Sequence, residues 1–400
     1  MRIGIYGGTF DPPHLGHMES ARTAMKTLGL DKLLFLPTWQ PPHKQLSEDS
    51  ATPEQRLAMV RLMADGLGKN VQASDLEFER KGKSYTAQTL RLLREQYPED
   101  ELWLMMGTDM FLTLQDWREP EVILSLAGIA AFSRNETDTD EMMDVQADYL
   151  RKEFDAKVQI VPLPDVREVS STQIRSGENW ENLYPPVLGY ILMNNLYGTE
   201  KDLNGLSDDE LRACSLSMIR AKRIAHVKGT EEEAVRLAKR WGADETLARR
   251  AGILHDCTKY WSVEEHLNCC KKYGMELDEL EQKAEKLMHS KSGACIAKHI
   301  FGECDEVCDA ICFHTTGRAG MTLLEKILYI ADYMEPNRDF EGVEELRLLA
   351  YEDLDKAVLK GCEMSIEDMA QRGYKVHENT QHACDWLKGK YDDPGREENE

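Results

Sequence analysis

"GTFDPPHLGH", residues 8–17, follows the short apolar run "RIGIYG". It sets two histidines three residues apart, behind a glycine pair, a threonine and Pro-Pro. An apolar run ending in Gly7 and Gly8 predicts a buried strand that lets a ligand approach its backbone. His14 and His17 then fall on one side of the chain as it enters a helix. Gly16 between them leaves room, and Thr9 adds a hydroxyl donor. Imidazole N–H groups at a helix N-terminus, where the dipole is favourable, suit phosphate oxygens.

Working outward, strand-like runs at 2–7, 32–37, 101–107, 128–134 and 158–164 alternate with helical patterns at 18–28, 53–67, 84–96, 120–126 and 138–154. Such alternation predicts an α/β fold with a Rossmann-like parallel sheet covered on both faces, its ligands beyond the carboxyl ends of the strands. The polar, glycine-containing segment "YGTEKDLNGLSDDEL" begins at Tyr197. Beyond it strand signals nearly vanish. Helical patterns at 208–226, 231–241, 244–254, 263–273, 276–288, 292–301, 305–313, 323–333 and 353–371 predict an all-α second domain. The expected boundaries are residues 1–199, a linker at 200–207, a helical domain at 208–390 and a charged, disordered tail at 391–400.

Composition narrows the classes. A chain of 400 residues is ample for two cores, and no apolar run is long enough for a membrane span. The start "MRIGIYGG" reads as a strand and not as a signal peptide, so a cytoplasmic location is expected. A net charge of −23 argues against nucleic acid as a partner, though not against nucleotides, which a few local donors can hold. A homo-oligomer is left open. All 10 cysteines lie from Cys214 onward, without a CxxC pair. Cys304, Cys308 and Cys312 share a helix face and read as a small-residue core stripe.

The helical half carries His226, His255 with Asp256, His289, His314 and Asp332, each in or near the end of an expected helix. His255 and Asp256 follow the apolar "AGIL", and Asp332 follows "ILYIA". Polar groups emerging from core helices need partners, and imidazole with carboxylate suits iron, zinc or manganese. His266, His299, His377 and His382 receive no role.

The opening stretch resembles the signature of the HxGH nucleotidyltransferase superfamily, and "VSSTQIR" at 169–175 resembles that superfamily's second motif. The resemblance implies that His14 and His17 are catalytic, stabilising charge on the α-phosphate of ATP during in-line attack. It places Gly7, Gly8, Thr9, Ser171, Thr172 and Arg175 around ATP, with Arg175 on the β and γ phosphates and Mg2+ bridging the phosphates. "PTWQPPHK", "SYTAQTL", "MMGTDMFLTLQDW" and "FSR" are similar to the nicotinate-mononucleotide adenylyltransferase branch. That likeness implies Lys44, Thr86, Gly107, Asp109, Trp117 and Arg134 around nicotinate mononucleotide. Core packing remains the alternative for Trp117. Gln88 stands where that branch carries an acid. The rival is a phosphopantetheine or cytidylyl branch, against which the Gly-Thr-Asp and Trp elements argue.

The pattern H…HD…H…H…D resembles the HD superfamily of metal-dependent phosphohydrolases. "RIAHVKGTEEEAVRLAKRWG", "AGILHDCTKYW" and "KILYIADYMEPNR" are similar to its YqeK-like branch, which cleaves dinucleoside tetraphosphates symmetrically and uses iron. By this resemblance His226, His255, Asp256 and Asp332 bind one metal. Asp256, also catalytic, bridges to a second metal held by His289 and His314. Arg223, Lys259 and Arg338 are candidate phosphate contacts. The expectation is a bifunctional enzyme of NAD biosynthesis acting on ATP, nicotinate mononucleotide and diadenosine tetraphosphate. In the alternatives the HD half hydrolyses another nucleotide, or senses nucleotides without turnover.

Overall fold

The structure is a computed structural model that describes residues 1–41, 46, 47, 49–80, 82–133, 137–163 and 169–392. The chain divides into two compact units, Met1–Glu200 and Lys201–Glu400.

The first unit is a six-stranded sheet: β1 (Arg2–Gly8), β2 (Lys32–Pro37), β3 (Val71–Ala73), β4 (Glu101–Gly107), β5 (Gly128–Ser133) and β6 (Val158–Pro162). Every pairing is parallel and the order is β3-β2-β1-β4-β5-β6. The apolar runs supply side chains to both faces with the two-residue period of a strand. Leu33, Phe35, Trp103 and Met105 join one core, with Met18 and Ala21 of the helix Leu15–Leu28 and Met59 and Met63 of Pro53–Leu67. Their neighbours Ile3, Ile5, Leu34, Leu102 and Leu104 join the other, with Leu90, Ile123 and Leu150. Strand order reverses between β1 and β4, so the segments after Gly8 and Gly107 part and leave a crevice.

Ten α-helices are described in the second unit: Asp208–Ser217, Ile224–Trp241, Glu245–Leu254, Val263–Tyr273, Glu285–His299, Asp305–Phe313, Leu323–Met334, Val343–Glu352, Leu354–Gln371 and Glu378–Asp392. Their starts follow ordinary capping chemistry. Ser207 with Glu210, and Ser262 with Glu265, form reciprocal capping boxes. Asp244, Thr322 and Asp353 cap three others. Leu354–Gln371 brings Gly361 against the helix Leu323–Met334, where a Cβ would lie 3.3 Å from Tyr329 Cε1 and 3.4 Å from Ile330 Cδ1.

Several boundaries differ from the sequence expectation. The pattern at 208–226 is not one helix: it stops at Ser217, passes a 3-10 turn at Ala221–Arg223 and restarts at Ile224. Ser217 Oγ donates to the Cys214 carbonyl, 2.7 Å away, where the first helix ends. His226 therefore opens the long helix Ile224–Trp241 and does not close the preceding one. The patterns at 276–288 and 292–301 are likewise redrawn. Asp278 accepts from the backbone N–H groups of Leu280 and Glu281 in a turn. One helix then runs through "SKSGA", whose serine hydroxyls donate back to the carbonyls of Leu287 and Met288. Strand β3 and the helices Val343–Glu352 and Glu378–Asp392 are additions to the expected elements. The last of these takes in residues 391 and 392 of the expected tail, whose remainder lies outside the described residues. In the proposed cysteine stripe, Cys308 and Cys312 are buried, but Cys304 is exposed at the helix N-cap.

The loop after β1 is held from below by Arg56, which is 0 % exposed. Its Nη1 donates to the Thr9 carbonyl (2.8 Å) and its Nη2 to the Trp39 carbonyl (3.0 Å). Arg56→Met keeps most of the volume but strands both carbonyls, for an expected loss of about 3 kcal/mol. Urea denaturation of the full chain measures it; a loss below about 1 kcal/mol would mean that the loop is held by other contacts.

Candidate functional sites

A cavity of about 750 Å³ lies at the strand reversal of the first unit. Among its lining residues are Tyr6, Thr9, Phe10, His14, Gly16, His17, Gly107, Ser171, Thr172 and Arg175. Gly7 and Gly8 end β1 between two of these. A Cβ on Gly7 or Gly107 would meet nothing within 4 Å, so the protein's own atoms do not demand glycine there.

His14 is the N-cap of the helix Leu15–Leu28. Its backbone N–H donates to His17 Nδ1 at 3.2 Å, which places the proton of a neutral His17 ring on Nε2. The two rings lie 3.8 Å apart at 39°. Gly16 packs closely here: a Cβ would lie 3.1 Å from His14 Nδ1 and 3.4 Å from Val169 Cγ1, so a side chain would press on the His14 ring. Burial, and then the neighbouring His14, hold the His17 pKa well below its ordinary value.

The second motif latches onto this loop. Ser170 caps the short helix Ser171–Arg175 in a box with Gln173. Ser171 Oγ donates to the Pro12 carbonyl (2.9 Å). Arg175 Nη1 donates to the Asp11 carbonyl (2.5 Å) and Nη2 to Thr172 Oγ1 (3.2 Å), so this arginine braces the loop as well as lining the cavity. Sequence reasoning missed the rest of the brace. Asp11 is 2 % exposed, and its Oδ1 accepts from the Tyr197 hydroxyl (2.7 Å) and the Ala51 N–H (3.1 Å). Asp11 sits inside the quoted motif, but nothing local announces that Arg56 and Tyr197 will meet its loop.

Of the residues expected around a nicotinate nucleotide, Gly107 lines the cavity, whereas Thr86, Asp109 and Trp117 stand outside that lining. Trp117 is half-buried against the core. Its neighbour Arg118 lies 4.6 Å over the Tyr85 ring, which joins the segments that carry Trp117 and Thr86. Lys44 and Arg134 lie outside the described residues.

In the second unit five separate segments bring all six expected ligands together. The ligand atoms of His226, His255 and Asp332 lie within 4.8 Å of one another, as do those of Asp256, His289 and His314. His226 Nε2 stands 2.9 Å from Asp332 Oδ1 and 3.3 Å from His255 Nε2. Asp256 spans the groups. Its Oδ2 is 3.5 Å from His255 Nε2 and 3.6 Å from His226 Nε2, and its Oδ1 is 3.2 Å from His289 Nε2. His289 Nε2 is 3.2 Å from His314 Nε2.

The donor set fits divalent cations. His255 Nδ1 faces the Gly252 carbonyl (2.8 Å), His314 Nδ1 the Ile311 carbonyl (2.7 Å) and His226 Nδ1 the Glu335 carboxylate (3.0 Å). Each acceptor takes a hydrogen bond from the Nδ1 proton, so Nε2 is the nitrogen left for a cation. The His226 and His255 Nε2 atoms then stand 3.3 Å apart in a buried site beside the Asp332 and Asp256 carboxylates, a set that one cation can share. Burial opposes the charge on Asp256, yet His255, His289 and Lys259 hold its pKa well below the usual carboxylate range. Asp332 is likewise depressed: burial opposes its charge, but His226 and Arg338 favour it. The candidate phosphate contacts rest on these same carboxylates. Arg223 Nη2 is 2.5 Å from Asp256 Oδ2, Lys259 Nζ 3.4 Å from Asp256 Oδ1, and Arg338 Nη2 2.8 Å from Asp332 Oδ1. Glu335 was missed as a partner of His226, although it lies in the quoted "KILYIADYMEPNR".

Asp278, Glu281 and His377 form a third convergence with a different logic. The Asn379 N–H donates to His377 Nδ1 (3.1 Å), so Nε2 carries the proton and faces Asp278 Oδ2 at 2.8 Å. Lys291 Nζ lies 3.3 Å from Glu281 Oε1. Burial works against the charge on Glu281, but His377 and its other partners bring its pKa down to about 2. The Lys291–Glu281 ion pair and the His377 hydrogen bond tie the entry of the last helix to the turn before Glu285–His299.

Residues 5–177 match the Cytidylyltransferase-like family and residues 223–337 the HD domain family. The first half is 40% identical over 176 residues to the "Probable nicotinate-nucleotide adenylyltransferase" of Desulfitobacterium hafniense, covering 44% of this chain and 83% of that protein. The second half is 37% identical over 183 residues to the "Bis(5'-nucleosyl)-tetraphosphatase, symmetrical" of Bacillus subtilis, covering 46% of this chain and 98% of that protein. A crystal structure from Clostridium acetobutylicum, described as a "predicted HD superfamily hydrolase involved in NAD metabolism", is 40% identical. It covers 46% of this chain and 98% of its own, with a TM-score of 0.45.

The His17 geometry makes a pH statement. With its pKa held below 6.5, the ring stays neutral as pH falls from about 8 to 6.5, and its Nε2–H persists. The 15N-histidine spectrum of the full chain should show His17 without an inflection in that window. A midpoint near 6.5 would overturn the depressed pKa.

Proposed function

From a chain whose first half belongs to the nicotinate-nucleotide adenylyltransferase family, and whose second half belongs to the HD-domain family of symmetrical bis(5'-nucleosyl)-tetraphosphatases, we propose an enzyme of NAD biosynthesis that carries both reactions. The first half transfers AMP from ATP to nicotinate mononucleotide. A phosphate oxygen of the mononucleotide attacks the α-phosphorus, the bond to the β-phosphate breaks, and deamido-NAD and pyrophosphate form. The second half adds water across the central P–O–P linkage of diadenosine tetraphosphate and gives two ADP.

The observation that carries the first reading is that His17 lines a cavity at a helix N-terminus while its Nδ1 accepts a backbone N–H, which leaves Nε2–H as its donor. That donor faces charge that grows on the α-phosphate, where a hydrogen bond lowers the barrier most. The Ser171–Pro12 and Arg175–Asp11 contacts hold the histidine loop in one geometry. Ser171 and Thr172 bring hydroxyls to the same cavity for the triphosphate. Mg2+ arrives with ATP. Gly107, Thr86, Asp109, Trp117, Lys44 and Arg134 remain the assignment for the mononucleotide.

The second reading rests on buried imidazole lone pairs converging with Asp256 between them. His226, His255, Asp256 and Asp332 would hold one ion, and Asp256, His289 and His314 a second. A nitrogen-rich set with two carboxylates suits iron. Such ions polarise phosphate oxygens and acidify water when bound. Arg223 and Arg338 each spend Nε and Nη2 on this centre and keep Nη1 for a phosphate, and Lys259 brings a third positive charge.

The two activities should separate by mutation. His17→Ala loses a donor to developing charge, so adenylyl transfer should fall by roughly 3–4 kcal/mol, or a few hundred-fold, while diadenosine tetraphosphate hydrolysis stays. Asp256→Ala should do the reverse: hydrolysis and metal content are lost and adenylyl transfer stays. Both assays and metal analysis on one purified sample of each variant decide it. Hydrolysis that survives Asp256→Ala with full metal occupancy would remove the second assignment. A wild type that holds metal but turns over no nucleotide would favour a sensing role.

A further inference from the structure

Glu335 is 1 % exposed and directly follows the helix Leu323–Met334, which carries Asp332. Its two carboxylate oxygens have separate partners. Oε1 lies 3.0 Å from His226 Nδ1. Oε2 accepts from the Asn337 N–H (2.7 Å) and from Asn337 Nδ2 (2.7 Å). Asn337 Nδ2 also donates to the Ala225 carbonyl at 3.0 Å, one residue before His226. The carboxylate is thus fixed at one oxygen and offers the other to a single imidazole nitrogen.

The opposing helix has a gap for this carboxylate. Gly229 lies inside Ile224–Trp241, where glycine costs about 1 kcal/mol relative to alanine. A Cβ there would stand 2.2 Å from Glu335 Oε2 and 2.9 Å from Asn337 Nδ2. The helix is weakened at the one place where a side chain would push Glu335 off His226.

We infer that Glu335 is a positioning residue for His226, holding a proton on Nδ1 and presenting Nε2 to a cation held with Asp332 and His255, and that Gly229 is the opening that admits it. The inference rests on the metal reading of the centre and not on the nucleotide that the centre cleaves. Outer hydrogen bonds of this kind typically change metal affinity 10–100-fold.

The full chain is titrated with Co2+ against a competing chelator, with d–d absorption as the signal. Glu335→Ala and Gly229→Ala should each weaken binding roughly 10–100-fold. Glu335→Gln should fall between, because its amide oxygen can still accept from Nδ1–H. In the 15N-histidine spectrum of the Zn2+-loaded chain, His226 should be the Nδ1–H tautomer in the wild type and mixed in both alanine variants. The two alanine variants have opposite intrinsic effects on folding, since Gly229→Ala adds helix propensity and Glu335→Ala strands the Asn337 donors. A loss of Co2+ affinity in both, together with the tautomer change, supports the role whatever the metal-free melting temperatures do. Wild-type affinity and tautomer in both folded variants overturns it, as does an affinity loss confined to whichever variant melts lower. Hydrolysis of diadenosine tetraphosphate by the wild type is assayed in parallel. Its absence with intact Co2+ binding would fall on the substrate reading alone.

Discussion

Which nitrogen of a neutral imidazole carries the proton is set by what faces the other nitrogen, and the two halves of this chain use that constraint in opposite senses. In the first, a backbone N–H donates to His17 Nδ1, so Nε2 is left as a donor. In the second, carbonyls or a carboxylate accept at Nδ1 of His226, His255 and His314, so Nε2 is left for a cation, to which it offers its lone pair. A donor suits a phosphate and a lone pair suits a cation. His377 follows the first pattern within the second unit and accordingly donates its Nε2–H to a carboxylate. The same residue type thus acquires three uses, and in each the backbone or a buried acid decides which.

Those hydrogen bonds need a rigid setting, and each unit supplies one differently. The loop that carries His14 is irregular, so its polar groups are satisfied by distant partners: Arg56 from a helix, Tyr197 from near the end of the unit, and Ser171 and Arg175 from the second motif. In the second unit the ligands stand on or just past helices with apolar faces, and helix packing sets their direction. His255 and Asp256 follow Glu245–Leu254, and both are 0 % exposed. The first site depends on long-range polar contacts and the second on helix ends brought together.

Much of this could be read from residue order, for reasons that differ by element. The strands β2 and β4 are continuous apolar runs, so their limits are visible in the sequence. Strand β3, "VQA", has three residues and exists because β2 offers it an edge. The six metal-centre residues stand out because polar groups at the ends of apolar helices need a reason. Glu335, Asn337 and Gly229 do not, because a glutamate after a helix and a glycine inside one are each common alone. Only the close approach of Oε2 to the missing Cβ ties them together. Likewise "SKSGA" has the composition of a break, yet in the fold its serine hydroxyls have helical carbonyls to bond.

The match to the HD domain ends at residue 337, but the fold around it does not. Leu354–Gln371 covers Tyr329 and Ile330, on the helix that carries Asp332, and Cys362, Ala383 and Leu387 of the last two helices are fully or almost fully buried. The hydrogen bond from His377 to Asp278 fastens the entry of the final helix to the turn before the segment bearing His289. Residues that hold no ligand therefore complete the walls behind two that do. The smallest piece of this unit that could be transplanted with its chemistry intact is not the matched span but nearly the whole helical half. Any recombination between relatives that cuts soon after Arg338 would carry the ligands away from their support.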